Sequence, residues 1–507
     1  MIRIINISKF IIILICLLFS FYASKFYYGS DLVFFSYNIL ILLLSYYLTS
    51  SKSSFFSFFL AFYLFMGFWF KYNLSLVYNN GRVYDSGFFY SNDIDGVLLL
   101  SICLFLTIIF GNFFSIKWFS YNKLNVKSKI GLIHTLYLKN NKLILITFII
   151  FFSIIGAINL NNKIYIKGMI FENNYNFILT NFLKWLILFG FTTISCLILK
   201  SEIIKKNKYI PLIFLIVFLE IFCSYTSMLS RSMILFGLPF LYSFIYYESY
   251  IRKSVINFTI ILISYFILCL ISVVISNEIR INLSNKTETN FIKENKISLE
   301  SDIIENYEPG MPSFNYKRNW DFYKFAGKPY DPSKITDKNS KEYAFSTDDY
   351  YSSEQMANFI LINRWIGVDS LINVSTSKNL SFNLLYDALK ENKNKLKTTF
   401  YENNFYLKDK KRTFYANNVI VKGNTLPGIF SFLYYSGSLL FLIVISFSLI
   451  ILFTYIEKKI FLVCNRNLFF LSFFSHTIVY RLFHFGYAPK DTYLFAISLT
   501  VSVFLIY

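Results

Sequence analysis

Ser276-Asn277-Glu278-Ile279-Arg280 marks the point where the character of this chain changes. Before it the sequence reads as one apolar run after another. After it comes the only long polar stretch, Asn277 to Thr425, which holds 19 of the 29 acidic residues. Beyond Thr425 the apolar runs resume. The reading is an all-α polytopic membrane protein with one large extramembrane insert, giving three regions: 1–276, 277–425 and 426–507. The insert has the length of a small domain.

The totals agree. The 507 residues have a mean hydropathy of +0.50; 55% are apolar and only 15% charged, well below the quarter usual in a soluble domain. Aromatics make up 21%, with Ile, Tyr, Asn and Lys also abundant, as an AT-rich coding bias would give. The net charge of +20 is no nucleic-acid signal. Nearly all of it lies in short loops between apolar runs, as cytoplasmic loops require, and no basic stripe carries stacking aromatics. Cys16, Cys103, Cys196, Cys223, Cys269 and Cys464 all lie in or beside apolar runs with no C-x-x-C spacing, so they read as small apolar residues.

A span needs about 20 mainly apolar residues. About twelve segments qualify: 8–28, 32–50, 54–71, 96–116, 143–160, 176–199, 209–226, 232–247, 254–276, 426–453, 460–480 and 492–507. The seventh and eighth are short and flank Ser224–Ser232, so a broken helix pair is an alternative there. The first resembles a signal peptide, but its cleavage site is poor and the apolar run continues, which favours a retained span. Lys and Arg concentrate in every second loop. That places both termini in the cytoplasm and the insert outside, periplasmic if the membrane is a bacterial inner membrane. The outer face then also carries the loops Lys71–Asp95 and Asn161–Tyr175. Within the insert, 285–347 reads as loop. Ser352-Ser353-Glu354-Gln355 and Ser381 before Phe382 read as helix starts.

The candidate chemistry lies on the outer side. Arg231, in Ser230-Arg231-Ser232, is a permanent charge beside apolar spans. A guanidinium fork suits phosphate oxygens, and the two hydroxyls add donors; a helix cap or a headgroup anchor is the plainer reading. Arg280 stands at headgroup depth, with an ion pair to Glu278 as its alternative. In Asn363-Arg364-Trp365-Ile366-Gly367-Val368-Asp369, Arg364 is a further cation, Trp365 suits stacking on a sugar, and Asp369 is a candidate base or the partner in a structural ion pair. Arg481 and His484 precede the last span, where His484 is either a base or a packed aromatic. Asp93 and Asp95 end an early outer loop. Paired acids there suit a metal-dependent lipid-phosphate sugar transferase, or simply mark the membrane boundary. No nucleotide-binding, zinc-protease or serine-hydrolase motif occurs.

The span number, the single dominant outer loop late in the chain, the Ser230–Ser232 element and the outer Arg280 and Arg364 resemble the O-antigen polymerase family, the Wzy-like repeat-unit polymerases. The segment Leu426-Pro427-Gly428-Ile429-Phe430-Ser431-Phe432-Leu433-Tyr434-Tyr435-Ser436-Gly437, entering the tenth span, is similar to their post-loop segment. The resemblance implies a multi-pass, GT-C-like polymerase/ligase architecture. It implies polymerisation of undecaprenyl-diphosphate-linked oligosaccharide repeat units into O-antigen or capsular polysaccharide, with no metal or other cofactor. Lipid and a chain-length regulator are the further partners it suggests. By that resemblance Arg231, Arg280, Arg364, Ser230, Ser232, Trp365 and Arg481 bind the diphosphate and its glycan, and Asp369, Glu278 or His484 takes the acceptor proton. Two enzymatic alternatives stand beside it: an O-antigen ligase, disfavoured because the insert lacks His, and a glycosyltransferase using polyprenyl-phosphate sugars. A flippase or transporter of lipid-linked glycan is the alternative from another class.

Overall fold

The computed structural model describes residues 2–49, 53–78, 81, 94–119, 132–167, 169–171, 177–205, 209–230, 232–246, 255–295, 365–375, 377, 379–391, 399–405, 413–416, 419–422, 427–484 and 489–506. Arg231, Arg364, Arg82, Asp93 and the expected helix start at Ser352 lie outside them.

The described residues are overwhelmingly helical. In chain order the helices are α1 (Ile2–Ser24), α2 (Asp31–Leu48), α3 (Phe55–Tyr78), α4 (Ile94–Phe119), α5 (Leu132–Lys139), α6 (Asn141–Asn162), α7 (Ile178–Ile204), α8 (Ile210–Ser227), α9 (Met233–Ile245) and α10 (Val255–Asn295). After the insert's first part come α11 (Val368–Ser375), α12 (Phe382–Leu389), α13 (Phe400–Asn404), α14 (Gly428–Leu433), α15 (Leu439–Val463), α16 (Leu468–Ile478, continued by π turns Val479–His484) and α17 (Pro489–Ile506).

Eight helices among the described residues are long and apolar enough to cross a membrane: α2, α3, α4, α6, α7, α8, the Asn257–Arg280 part of α10, and α15. Three shorter apolar helices, Ile11–Ser24, Met233–Ile245 and Phe495–Ile506, accompany them. The expectation of about twelve full spans is therefore met only in its coarser form, a multi-pass helical membrane protein. The eighth expected span is broken at Gly237, just before Pro239, whereas the seventh is a single helix.

The outward faces are apolar. Leu18, Phe110, Leu143, Ile146, Leu270 and Leu440 are all exposed, a pattern a water-facing surface would not tolerate over so many helices. Polar side chains turn inward instead and join helices. Asn73 Nδ2 donates to Asn38 Oδ1 (2.8 Å), Ser20 Oγ to the same oxygen (3.1 Å), and Ser57 Oγ to Asn112 Oδ1 (2.6 Å). In lipid such bonds hold helices together where apolar burial supplies no preference. Gly111 lets α4 approach α15 closely, since a Cβ there would sit 3.3 Å from Ile450.

The helix contacts sort the molecule into two ends. At one, which we call the lysine end, Glu457 accepts from the first amides of α3, Phe55 N–H (2.9 Å) and Phe56 N–H (2.7 Å). Carboxylate charge at a helix N-terminus is favourable. There too Lys200 Nζ donates to the Asn465 carbonyl (2.8 Å), and α5 is pinned by His134 Nδ1 to Ser201 Oγ (2.6 Å) and Tyr137 OH to Glu202 Oε1 (2.6 Å). At the other, the insert end, the described parts of the insert pack down on the bundle.

Three features depart from the expectations. First, α10 does not stop at Ser276 but continues to Asn295, 41 residues in all, about 60 Å. No Pro or Gly occurs between Val255 and Pro309, so the helix propagates from its apolar stem. The loop expected from 285 thus begins later. Second, Pro427–Gly437 does not enter a span. It forms α14 and a tight turn closed by Gly437 (φ +70°), and the crossing helix α15 starts at Leu439 under a Ser438 cap. Third, a three-stranded antiparallel sheet joins the loop after α6 to the insert. Its strands β1 (Met169–Phe171), β2 (Thr413–Ala416) and β3 (Val419–Lys422) lie in the order β1-β3-β2, with Ile170 opposite Ile420 and Tyr415 opposite Ile420 on the other side.

Candidate functional site

The site forms where the loop after α6 meets the turn after α8. Asn159, at the end of α6, holds both. Its Nδ2 donates to the carbonyls of Ser227 (2.9 Å) and Tyr165 (3.1 Å), and its Oδ1 accepts from Tyr165 N–H (2.9 Å). Leu229 adopts φ +50°, which turns the chain sharply, and Lys167 N–H then donates to the Met228 carbonyl (3.0 Å). The result projects Lys167 over Ser230 and Ser232, whose hydroxyls are 2.6 Å apart.

Lys167 is the centre of the arrangement. Its ammonium donates to Tyr480 OH (2.9 Å) and Ser232 Oγ (3.4 Å) and lies 5.2 Å from the Tyr480 ring centroid. Its carbonyl accepts from the half-buried Arg280 guanidinium. Four elements far apart in sequence thus bring two cations, three hydroxyls and backbone polar groups to one spot. Arg231 is flanked on both sides by Ser230 and Ser232, which are part of it.

A cluster of packed aromatic rings adjoins it through Tyr480. His476, Tyr480 and His484 recur every four residues along α16 and its π turns, a wide helical form often found at functional sites. The π turns also carry Arg481, half-buried beside Tyr480. Tyr63 OH and His476 Nε2 share a hydrogen bond (2.8 Å), and the His484 ring stacks on Tyr63 at 4.7 Å. Trp365 joins the cluster from the insert, 5.5 Å from His484 and 5.9 Å from Phe62. Phe236, from α9, sets its edge against both His476 and Tyr480 and stacks with Tyr225. Tyr225 OH and His476 Nδ1 are fully buried with no hydrogen-bond partner among the described residues.

The insert is clamped beside Trp365. Gly367 and Gly67 meet backbone to backbone: a Cβ on either would lie 2.0 Å from a carbonyl oxygen of the other strand, Ile366 O for Gly67 and Gly67 O for Gly367. One turn on, Asp369 Oδ2 and Lys71 Nζ form a buried ion pair at 2.8 Å. Ser370 bonds to Ser431 of α14 (2.9 Å), and Asn373 Nδ2 donates to Tyr401 OH (2.7 Å).

The sequence candidates therefore divide. Ser230, Ser232, Arg280, Trp365, Arg481 and His484 lie in or along this site. Asp369 is engaged by Lys71. Glu278 is exposed on α10, two residues before Arg280. Asp95 accepts from Tyr27 OH and from Ser30 N–H (3.1 and 3.0 Å), which ties the α1–α2 turn to the start of α4. The described residues contain no cluster of three or more His, Cys, Asp or Glu able to hold a metal ion.

Sequence reading passed over Lys167, Tyr480, Tyr63 and His476 as site members. The period-four spacing of His476, Tyr480 and His484 was the available signal. Lys167, in a short loop, had none. No family model, curated protein or solved structure matches this chain.

Proposed function

We propose that this chain is an integral-membrane glycosyltransferase that polymerises undecaprenyl-diphosphate-linked oligosaccharide repeat units, acting on the outer, periplasmic face of a bacterial inner membrane. The observation that carries the reading is the convergence of Lys167, Arg280, Ser230, Ser232 and Tyr480 at the insert end. Fixed donors beside apolar helices suit a diphosphate whose lipid tail stays in the bilayer. The sidedness is supported by the charges at the opposite end, where Lys139, Lys200, Lys205, Lys458, Lys459 and Arg466 gather, as cytoplasmic ends do.

In this reading a hydroxyl of one lipid-linked glycan attacks the anomeric carbon of another. The bond from that carbon to the diphosphate oxygen breaks, and the lipid diphosphate leaves as an anion. Lys167 and Arg280, with Arg231, Arg364 and Arg481 as further cations, stabilise the negative charge that builds on the leaving group. Donors already in place do this without reorganisation. The acceptor proton passes to a base. His484 is preferred because it adjoins Tyr480 and Trp365, whereas Asp369 is tied to Lys71 and Glu278 faces outward. Trp365 offers a flat apolar surface for a sugar ring.

Deletion of the gene separates the readings by the surface glycan seen on a gel. Loss of a polymerase leaves single repeat units on the lipid core. Loss of a ligase leaves none there, with polymer stranded on its carrier. Loss of a flippase leaves repeat units on their carrier at the cytoplasmic face. Either of the last two patterns rejects the proposal.

A further inference from the structure

A second site lies at the lysine end, away from the aromatic cluster. Helices α4 and α15 run in the same direction and touch where Gly111 receives Ile450. Nearer the lysine end a groove of about 380 Å³ opens on their lipid-facing side, lined by Phe119, Phe447, Ser448, Ile451, Leu452 and Tyr455. That size falls within the range of small-ligand pockets. Its lining is apolar but for the hydroxyls of Ser448 and Tyr455. Phe119 and Tyr455 close it, with ring centroids 5.2 Å apart.

Two ammonium groups stand at its rim, each held over a ring that lines it. Lys458 Nζ is 5.9 Å from the Phe119 centroid, and Lys459 Nζ is 5.3 Å from that of Tyr455. Lys117, two residues before Phe119 in α4, is exposed beside the exposed Trp118, a residue favoured at the membrane interface. The sole acid in this half of either helix, Glu457, is buried and engaged by the Phe55 and Phe56 amides, so it does not cancel the rim charge.

We propose that the groove holds an acyl chain of an anionic phospholipid whose phosphate pairs with Lys458 and Lys459. An apolar slot opening to lipid takes the chain, and the lysines supply the charge that selects the headgroup. The bound lipid bridges α4 and α15. The site is independent of the glycosyltransferase reading and stands or falls without it.

The test is native mass spectrometry of the detergent-purified full chain titrated with phosphatidylglycerol or phosphatidylcholine. The wild type retains phosphatidylglycerol preferentially. Lys458→Ala/Lys459→Ala lowers that retention roughly tenfold. Ser448→Trp fills the groove while keeping both charges, and it lowers retention comparably. Lys139→Ala/Lys142→Ala, at the same end but outside the groove, leaves retention unchanged. Equal retention of the two lipids overturns the proposal. So does an equal loss in the Lys139/Lys142 variant, or full retention by Ser448→Trp, since either would mean attraction to the surface charge alone. Thermal unfolding of each variant in detergent confirms that the chain compared is folded.

Discussion

Among single residues, Lys167 and Asp369 make the clearest contrast. Lys167 presents its ammonium to the hydroxyls of Tyr480 and Ser232, whereas the Asp369 carboxylate is engaged by a buried lysine. Lys167→Ala is expected to lower polymerisation on the order of 100-fold, with the fold intact. Asp369→Asn removes one partner of a buried pair, which typically costs about 3–5 kcal/mol. It should reduce thermal stability and activity together, and the double change Lys71→Met/Asp369→Leu should recover much of the stability. A loss of activity in Asp369→Asn without loss of stability would return Asp369 to the role of base. His134, on α5 outside the spans, behaves differently again. Burial, helped by the Lys200 ammonium, lowers its pKa below the usual value near 6.5, so the folded state favours the neutral ring. Its contribution is present above that value and is lost as pH falls through it toward the lower folded pKa. Thermal unfolding scans should show stability declining below about pH 6.5, and His134→Gln should flatten the decline.

At the scale of elements, the docking of α11 turns on two glycines. With a carbonyl oxygen 2.0 Å from either ideal Cβ, Gly67→Ala or Gly367→Ala must push the insert off the bundle. Overpacking of this kind costs about 1–3 kcal/mol. Protease sites within α11, whose Leu371, Ile372 and Val374 are buried, should become cleavable in either variant and stay protected in the wild type. The same elements show what the sequence could reveal. The helix start at Ser381 was legible, since Ser381 Oγ accepts from Leu384 N–H (3.2 Å) in α12. The apolar runs gave the crossing helices because hydropathy over 20 residues is a direct physical requirement of lipid. The true start of α15 was hidden because Leu426–Gly437 is as apolar as a span. Only the positive φ at Gly437 diverts it, and a glycine does not announce its φ. The sheet was not expected from the sequence, although Val419-Ile420-Val421 is rich in β-branched residues and follows Asn417-Asn418, a turn signal. Its pairing with Met169–Phe171 was not legible, because nothing local specifies a partner some 250 residues away in sequence.

For the whole molecule, the fold class could be read from composition, and the site only in part. Arg280, Ser230, Ser232, Trp365, Arg481 and His484 were singled out by charge, hydroxyl or ring type near apolar boundaries, and the packing of α3, α6, α8, α10 and α16 brings them along one cluster of aromatic rings. What joins them, Lys167 and the Tyr63–His476–Tyr480 column, is tertiary and invisible to spacing within one helix. The two ends also make a claim about sidedness. A single cysteine at Lys167 should react with an impermeant thiol reagent added to intact spheroplasts, and one at Lys459 only after permeabilisation, in a background freed of the six native cysteines. The reverse pattern would invert the topology. The central claim, that the insert end cradles a departing diphosphate, is tested most directly with the purified chain in vesicles and lipid-linked repeat units extracted from the deletion strain. The account predicts a ladder of longer glycans and release of undecaprenyl diphosphate with the wild type. It predicts single units alone with folded Lys167→Ala or Arg280→Ala. Full ladders from both variants would contradict it.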